Sequence, residues 1–373
     1  MKLLKVMANN YKNCSENFTI DLVAKANKSS EDKEYELQEI SEELFVYSTA
    51  AFIGKNASGK TSAIDLLDAC YSILGEFRLE KEQYHYNFDN VYLEIFFYNE
   101  GYIYKYDTVL KADQNFGGKV CFTQEHLYSK KYFKSYARDI YSENGFEEIL
   151  NLGELPEDTS KVFFVLKKRK IQGVYFDCNG LGKNTYFLLF NIMKSYNISS
   201  EILMKIIKIF DHNIKDFCQL EDNRYRLTYQ EKNLELSDIE LVSMLSSGTT
   251  KGVLLYVYVV AALKNGFDLL IDEIENHFHK TLVENIITLF KDKTVNKKGS
   301  SLIFTTHYCE LLDLFGRQDN IWIAKSEDKI ILENMYDKYK IRPELLKSKQ
   351  YYTNAFDTAI NYEDLMSLKK ELI

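Results

Sequence analysis

The chain has 373 residues, 46% hydrophobic and 27% charged, with a formal net charge of −8. That length and balance fit a folded protein with a sizeable core and exclude an intrinsically disordered chain. The negative balance argues against a protein that coats nucleic acid through bulk positive charge.

In chain order, residues 3–8 and 18–22 read as two short strands, and the polar stretch 26–36 reads as a loop. The apolar run 45–53, "FVYSTAAFI", reads as one buried strand. Residues 61–74 place Ile64, Leu67, Tyr71 and Leu74 at helical spacing. Residues 91–98 and 102–110 alternate as two strands around Asn99–Gly101, a hairpin pattern. From about 130 to 215 the pattern turns helical, with Ile202, Leu203, Ile206, Ile207 and Phe210 on one stripe. Residues 225–236 return to strands around a turn at Lys232–Asn233. Beyond 245 the expectation is helix 249–263, strand 267–271, helix 279–291, strand 301–306, helix 308–315 and strand 320–324. This is an α/β layout with a parallel sheet, the helical middle being inserted between two parts of one core. Pro156 and Pro343 are the only prolines, so elements are seldom broken.

Two general features complete the pass. The six cysteines stand alone with no CxxC pair, so neither a zinc site nor a disulfide framework is indicated and reduced thiols are expected. The N-terminus lacks the apolar core of a signal peptide, and the longest apolar run, 253–263, is too short to cross a bilayer. A cytoplasmic location without membrane contact is expected. The run "KKRK" at 167–170 is the best basic patch, open to two readings: DNA contact or a solvated strand end.

"GKNASGKT" carries the first chemistry. Gly54, Lys55, Asn56, Ala57, Ser58, Gly59, Lys60 and Thr61, followed by Ser62, match G-x-x-x-x-G-K-[ST] between a buried strand and an amphipathic helix. Glycines let successive backbone N–H groups wrap a phosphate, and the helix N-terminus adds favourable partial charge. Lys60 is expected to reach the β- and γ-phosphates of ATP, and Thr61 to ligate Mg²⁺. Downstream, "FDLLIDE" is an apolar strand ending in Asp272 and Glu273. A carboxylate there can hold Mg²⁺, and the next can polarise an attacking water. "SLIFTTH" ends another buried strand at His307, where α/β sheets bind ligands. The stretch "MLSSGTTKG" at 244–252 is either a cap on the following helix or half of a phosphate site.

Taken together these motifs resemble an ABC-type ATPase of the SMC and OLD-like branch: Walker A at 54–61, signature "LSSGT" at 245–249, Walker B at 268–273 and a switch histidine at 307. The signature departs from LSGGQ at Ser247 and Thr249 and keeps Ser246 and Gly248. Lys280 stands where proline is frequent. Neither Gln83 nor Gln124 is assigned to a glutamine loop. Tyr11 and Lys12 occupy the place where relatives approach the nucleotide.

The resemblance implies a P-loop NTPase head with an antiparallel β subdomain, divided as 1–129 (Walker A part), 130–215 (mainly helical insertion), 216–345 (signature, Walker B and switch histidine) and 346–373 (tail). It implies ATP and Mg²⁺ as cofactors, hydrolysis by Glu273 with His307, and Ser246 and Gly248 closing on the nucleotide of a partner subunit. A homodimer or larger homo-oligomer follows. Sustained heptads are absent, and the stretch after His307 is too short for a TOPRIM nuclease domain, so stand-alone ATPases of bacterial anti-phage and abortive-infection systems are the nearer resemblance. Those act with a separately encoded effector, a nuclease or toxin. Two alternatives stand beside this one: an SMC-like repair or chromosome ATPase in contact with DNA, and a nucleotide-gated scaffold.

Overall fold

The computed structural model describes residues 1–113, 119–150, 152–177, 184–276, 278–339, 341–342, 345–358 and 362–372. Cys178, His277 and Pro343 lie outside them. Two six-stranded sheets organise the fold. The first is antiparallel, in the order β2 (Phe18–Asp21), β1 (Lys2–Asn9), β6 (Val91–Asn99), β7 (Tyr102–Asp113), β8 (Lys119–Lys131) and β9 (Glu147–Glu148). The expected hairpin is there: Asn99 pairs with Tyr102, and Glu100 and Gly101 both take positive φ, +48° and +86°. Such a two-residue turn matches the twist of the strands it joins.

The second sheet is the core. Its order is β10 (Gly173–Asp177), β14 (Asp268–Asp272), β15 (Leu302–Thr306), β5 (Thr49–Ile53), β16 (Ile321–Ser326) and β17 (Ile330–Asn334). The first five run parallel and β17 closes the edge antiparallel. Every residue of β5 and β15 is buried. Strands covered on both faces read as near-continuous apolar runs, which is how the sequence shows them. α1 (Lys60–Glu76) packs against β1, β5, β10, β14 and β15, so the helix leaving the glycine-rich loop lies across the core sheet. This is the expected α/β P-loop NTPase fold with an antiparallel β subdomain.

A third, three-stranded sheet joins β11 (Ile214–Gln219), β12 (Tyr225–Tyr229) and β13 (Lys232–Leu236). It accompanies α4 (Thr185–Ser195), α5 (Ser200–Phe210) and α6 (Asp238–Met244), beside α7 (Ser247–Asn265). α8 (Lys280–Lys291) buries Val283, Ile286, Ile287 and Phe290. Single-turn helices α2 (Tyr84–Asn87), α3 (Phe163–Leu166) and α9 (Met335–Lys338), with α10 (Lys347–Tyr352) and α11 (Tyr362–Glu371), complete the helices. No single helix among the described residues is long and apolar enough to cross a membrane.

Four expectations are corrected. The run 45–53 is two strands: β4 (Leu44–Tyr47) pairs with β3 (Leu37–Ser41), whereas Thr49–Ile53 joins the core sheet. Burial continues through Ser48, so hydrophobicity alone cannot show the change of partner. The turn in 225–236 falls at Gln230–Glu231, with Gln230 at φ +55°, because Tyr229 pairs with Lys232. Residues 308–315 form only a 3₁₀ segment, Cys309–Leu314. Finally, 130–215 is not one helical block. β8 runs to Lys131, and Gly173–Asp177 is a core strand whose partner, β14, is remote in sequence. The five described cysteines, Cys14, Cys70, Cys121, Cys218 and Cys309, form no disulfide among the described residues.

One buried ionic group ties the two halves of the chain. Arg317 donates to both carboxylate oxygens of Asp319 (2.8 and 2.6 Å) and to the carbonyls of Asn27 and Ala26. Asp319, fully buried, also accepts from the backbone N–H groups of Lys25 and Ala26. Removing one partner strands the other charge inside. Arg317→Ala should therefore lower unfolding stability by about 3–5 kcal/mol, read as a lower urea midpoint with an unchanged slope.

Candidate functional site

Parallel pairing brings the carboxyl ends of β5, β14 and β15 side by side, and the chemistry-bearing residues sit there. β5 delivers the chain into Gly54, and α1 starts at Lys60. Two glycines of the loop are demanded by packing. A Cβ on Gly54 would lie 2.4 Å from the Ala324 carbonyl oxygen. Gly59 has φ +95°, and a Cβ there would meet Ile330 at 2.3 Å. Lys55, Asn56 and Ala57 form the exposed crest, while Ser58 is buried with no hydrogen-bond partner for its hydroxyl among the described residues.

Lys60 is 5% exposed. Its ammonium donates to the carbonyls of Gly54 (3.1 Å) and Lys55 (2.9 Å) and lies 3.5 Å from His307 Nδ1. Burial pushes its pKa down, against the carboxylates of Glu273, Asp272 and Glu275, which push it up. A cation desolvated in this way is favoured by a bound anion.

Asp272 ends β14. Its Oδ2 accepts from the Thr61 hydroxyl at 2.8 Å and its Oδ1 from the Thr305 hydroxyl at 2.5 Å. Thr305 Oγ1 in turn accepts from the backbone N–H of Glu273 at 2.7 Å. One hydroxyl on β15 thus fixes both acidic residues. Glu273 holds φ +49°, the left-handed region, a strain that side chains other than glycine rarely carry. Its carboxylate accepts from Asn276 Nδ2 and lies 3.5 Å from His307 Nε2. The His307 ring therefore stands between Lys60 and Glu273. The backbone N–H of His307 donates to Glu275, which is 7% exposed.

The structure brings together Lys60, Thr61, Asp272, Glu273 and His307. It does not join Ser246 or Gly248 to them: among the described residues no hydrogen bond or ion pair links these two to the P-loop. Ser246 is the N-cap of α7, its hydroxyl accepting from Thr249 N at 3.0 Å and lying 2.9 Å from Thr249 Oγ1. Lys280 is the first residue of α8, a position proline favours, and His279 caps that helix by accepting from Thr281 N, so the departure costs the helix nothing visible.

Tyr11 is not a base-stacking group. It is fully buried, 5.1 Å from Phe88, with its hydroxyl donating to the Ser62 carbonyl. Lys12 pairs instead with Asp65 on α1, at 2.6 Å. Thr305, Glu275 and Asn276 escaped the sequence reading because hydroxyl, acid and amide side chains on strands and turns are common. Asp177 escaped it as well: β10 pairs with β14 so that Asp177 faces Asp272 across the ladder. An "apolar strand ending in an acid" pattern over 173–177 would have found it.

The oxygen donors Thr61 and Asp272 suit a hard cation such as Mg²⁺. The absence of side chains at Gly54 and Gly59 lets the loop pack closely against Ala324 and Ile330.

Residues 191–313 match the family model described as "AAA domain, putative AbiEii toxin, Type IV TA system". That span holds Ser246, Gly248, Asp272, Glu273 and His307, and not the P-loop. No curated protein matches the sequence. Among solved structures, the SMC head domain from Thermotoga maritima is 14% identical, with 90% of this chain and 99% of that chain covered and a TM-score of 0.41. An SMC head bound to the C-terminal winged-helix domain of ScpA is 13% identical, with 91% and 99% covered and a TM-score of 0.47. The phosphate loop and the acidic strand end thus stand in one chain with a match, over 191–313, to an AAA domain.

Thr305→Val keeps shape and removes the shared hydroxyl. Asp272 Oδ1 and the Glu273 amide each lose a partner, so stability should fall by about 1–3 kcal/mol, measured by urea unfolding. An unchanged midpoint would mean that the hydroxyl does not hold the acidic pair.

Proposed function

We propose that the protein binds and hydrolyses ATP between two copies of itself. The observation that carries this is the division of the site. Lys60, Thr61, Asp272, Glu273 and His307 converge on one face, while Ser246 and Gly248 sit at the N-terminus of α7 with no link to it. Ser246 is exposed there, and a helix N-terminus attracts phosphate. In this reading Lys60 holds the β- and γ-phosphates and the loop's N–H groups wrap them. Thr61 and Asp272 hold Mg²⁺, which would neutralise phosphate charge. Glu273 takes a proton from the attacking water, and His307, seated by Glu275, contacts the γ-phosphate. Ser246 and Gly248 of the other copy complete the site. Hydrolysis then reopens the pair.

The matched family's description names a toxin of a type IV toxin–antitoxin system. This supports a bacterial anti-phage role, in which ATP-driven dimerisation in the cytoplasm senses infection and controls a separately encoded nuclease or toxin. A second reading, an SMC-like ATPase acting on DNA, is favoured by Lys167, Lys168, Arg169 and Lys170, all exposed and without ion pairs among the described residues. The net charge of −8 opposes it.

Glu273→Gln should keep ATP-dependent dimerisation and lower turnover by about 10²–10⁴-fold, followed by light scattering and phosphate release. A monomer with normal turnover would refute the shared site. Gly248→Asp should fold and bind ATP as a single chain yet form no closed dimer. In cells carrying the neighbouring genes, Glu273→Gln should abolish any protection from phage, scored as plaque counts; protection equal to the native protein's would detach the role from hydrolysis.

A further inference from the structure

A cavity of about 970 Å³ lies in the loops flanking the antiparallel sheet, away from the P-loop residues. One wall is the chain from Asp21 to Lys28 with Lys33 and Glu43, and the other is residues 134–141. Five cations line it: Lys25, Lys28, Lys33, Lys134 and Arg138. The acids on the lining are Asp21, Glu43 and Asp139.

The charges do not balance. Lys25 pairs with Asp21 and Asp337, Lys33 with Glu43, and Lys134 with Glu42 just outside the lining. Asp21 is further engaged by the Tyr141 hydroxyl at 2.6 Å. Lys28 and Arg138 have no ion-pair partner among the described residues; Glu43 and Asp319 act on Lys28 only at longer range. Lys28 is also crowded: burial lowers its pKa, and neighbouring Arg317 lowers it further, against Glu43 and Asp319.

Two of the cations rest against an aromatic ring. Lys28 and Lys33 each lie over the Phe45 ring, at 5.7 and 5.1 Å from its centroid. The backbone beneath Lys28 is clamped, because Arg317 binds the carbonyls of Ala26 and Asn27 and Asp319 binds the N–H groups of Lys25 and Ala26. Pre-positioned donors bind an anion without a fresh ordering cost. The volume lies in the usual range for ligand sites.

We propose that this cavity is a second anion site, distinct from the P-loop, in which Lys28 and Arg138 take a phosphate-bearing ligand. The site reads charge and not a base. Tyr141 is the aromatic residue of the lining; its hydroxyl is tied to Asp21 and its ring is covered by the Lys5 ammonium at 4.9 Å. The phosphate can belong to a free polyphosphate or to a nucleic-acid backbone.

The test uses the full chain carrying Lys60→Ala, which weakens the P-loop's own hold on phosphate. Two probes are titrated, inorganic triphosphate by calorimetry and a short labelled duplex DNA by anisotropy. At least one should bind, more weakly as salt rises. Adding Lys28→Glu and Arg138→Glu should weaken that binding by at least about tenfold, while Lys28→Arg with Arg138→Lys keeps it within about threefold. Lys28→Gln alone, which adds no repulsion, should shift it in the same direction as the reversal. Triphosphate binding alone identifies a free polyphosphate; duplex binding that the reversal weakens identifies the backbone. If neither probe binds, or the reversed and conservative pairs bind alike, the cavity is not an anion site.

Discussion

The parallel register of β14, β15 and β5 is the constraint on which the rest depends. Ile271 pairs with Phe304, and Phe304 with Ala51, so three strands remote in sequence end at one level. Only a parallel arrangement points all three carboxyl ends the same way, and that is where α/β sheets place ligands. A one-residue slip would turn Thr305 to the opposite face of the sheet. Asp272 would then lose one hydroxyl and Glu273 its amide's acceptor, since both bonds run to the same atom. The buried apolar side chains of β5, β14 and β15 forbid that slip, because it would exchange the residues facing α1 for those facing the other layer. Because both faces of β5 and β15 are buried, side-chain fit to each layer sets the register, and the register sets the positions of the acids.

Within that frame the site is under electrostatic tension. Lys60 is drawn out of water and satisfied by two loop carbonyls, while three carboxylates favour its charge from a distance. Glu273 is held in a left-handed backbone conformation by two amide contacts that a relaxed turn would not need: its own N–H to Thr305 and its carboxylate to Asn276. His307 touches both ends of this arrangement. An arriving phosphate offers Lys60 a full negative charge in place of neutral carbonyl dipoles. Charge-assisted bonds are the stronger kind, so the lysine gains by changing partners.

Much of this was legible because the chemistry is written locally. Gly54 to Thr61 carries its own spacing, and Asp272, Glu273 and His307 each close an apolar run. What was not legible depends on contacts between distant segments. Thr305 and Glu275 are unremarkable residues until β15 and β14 are side by side. β10 was overlooked because Gly173–Asp177 is a short apolar run just after the polar stretch 167–170; its pairing with β14 is what places it in the core sheet. Tyr11 shows the converse failure. Its place in the chain suggested the nucleotide, yet Phe88, brought in by the antiparallel subdomain, claims the ring.

The signature stretch places a capping hydroxyl at the exposed N-terminus of α7. As the cap of α7, Ser246 must accept a hydrogen bond from Thr249 N. A hydroxyl has two acceptor lone pairs and one proton. If Thr249 Oγ1, 2.9 Å away, donates into the second lone pair, the Ser246 proton is left unused. That proton can point outward along the helix axis, toward whatever negative charge approaches the end of α7. Capping therefore leaves room for an outside acceptor at this hydroxyl. The threonine at 249 reaches Ser246 through both its amide and its hydroxyl, and so fixes the serine's position at the end of α7.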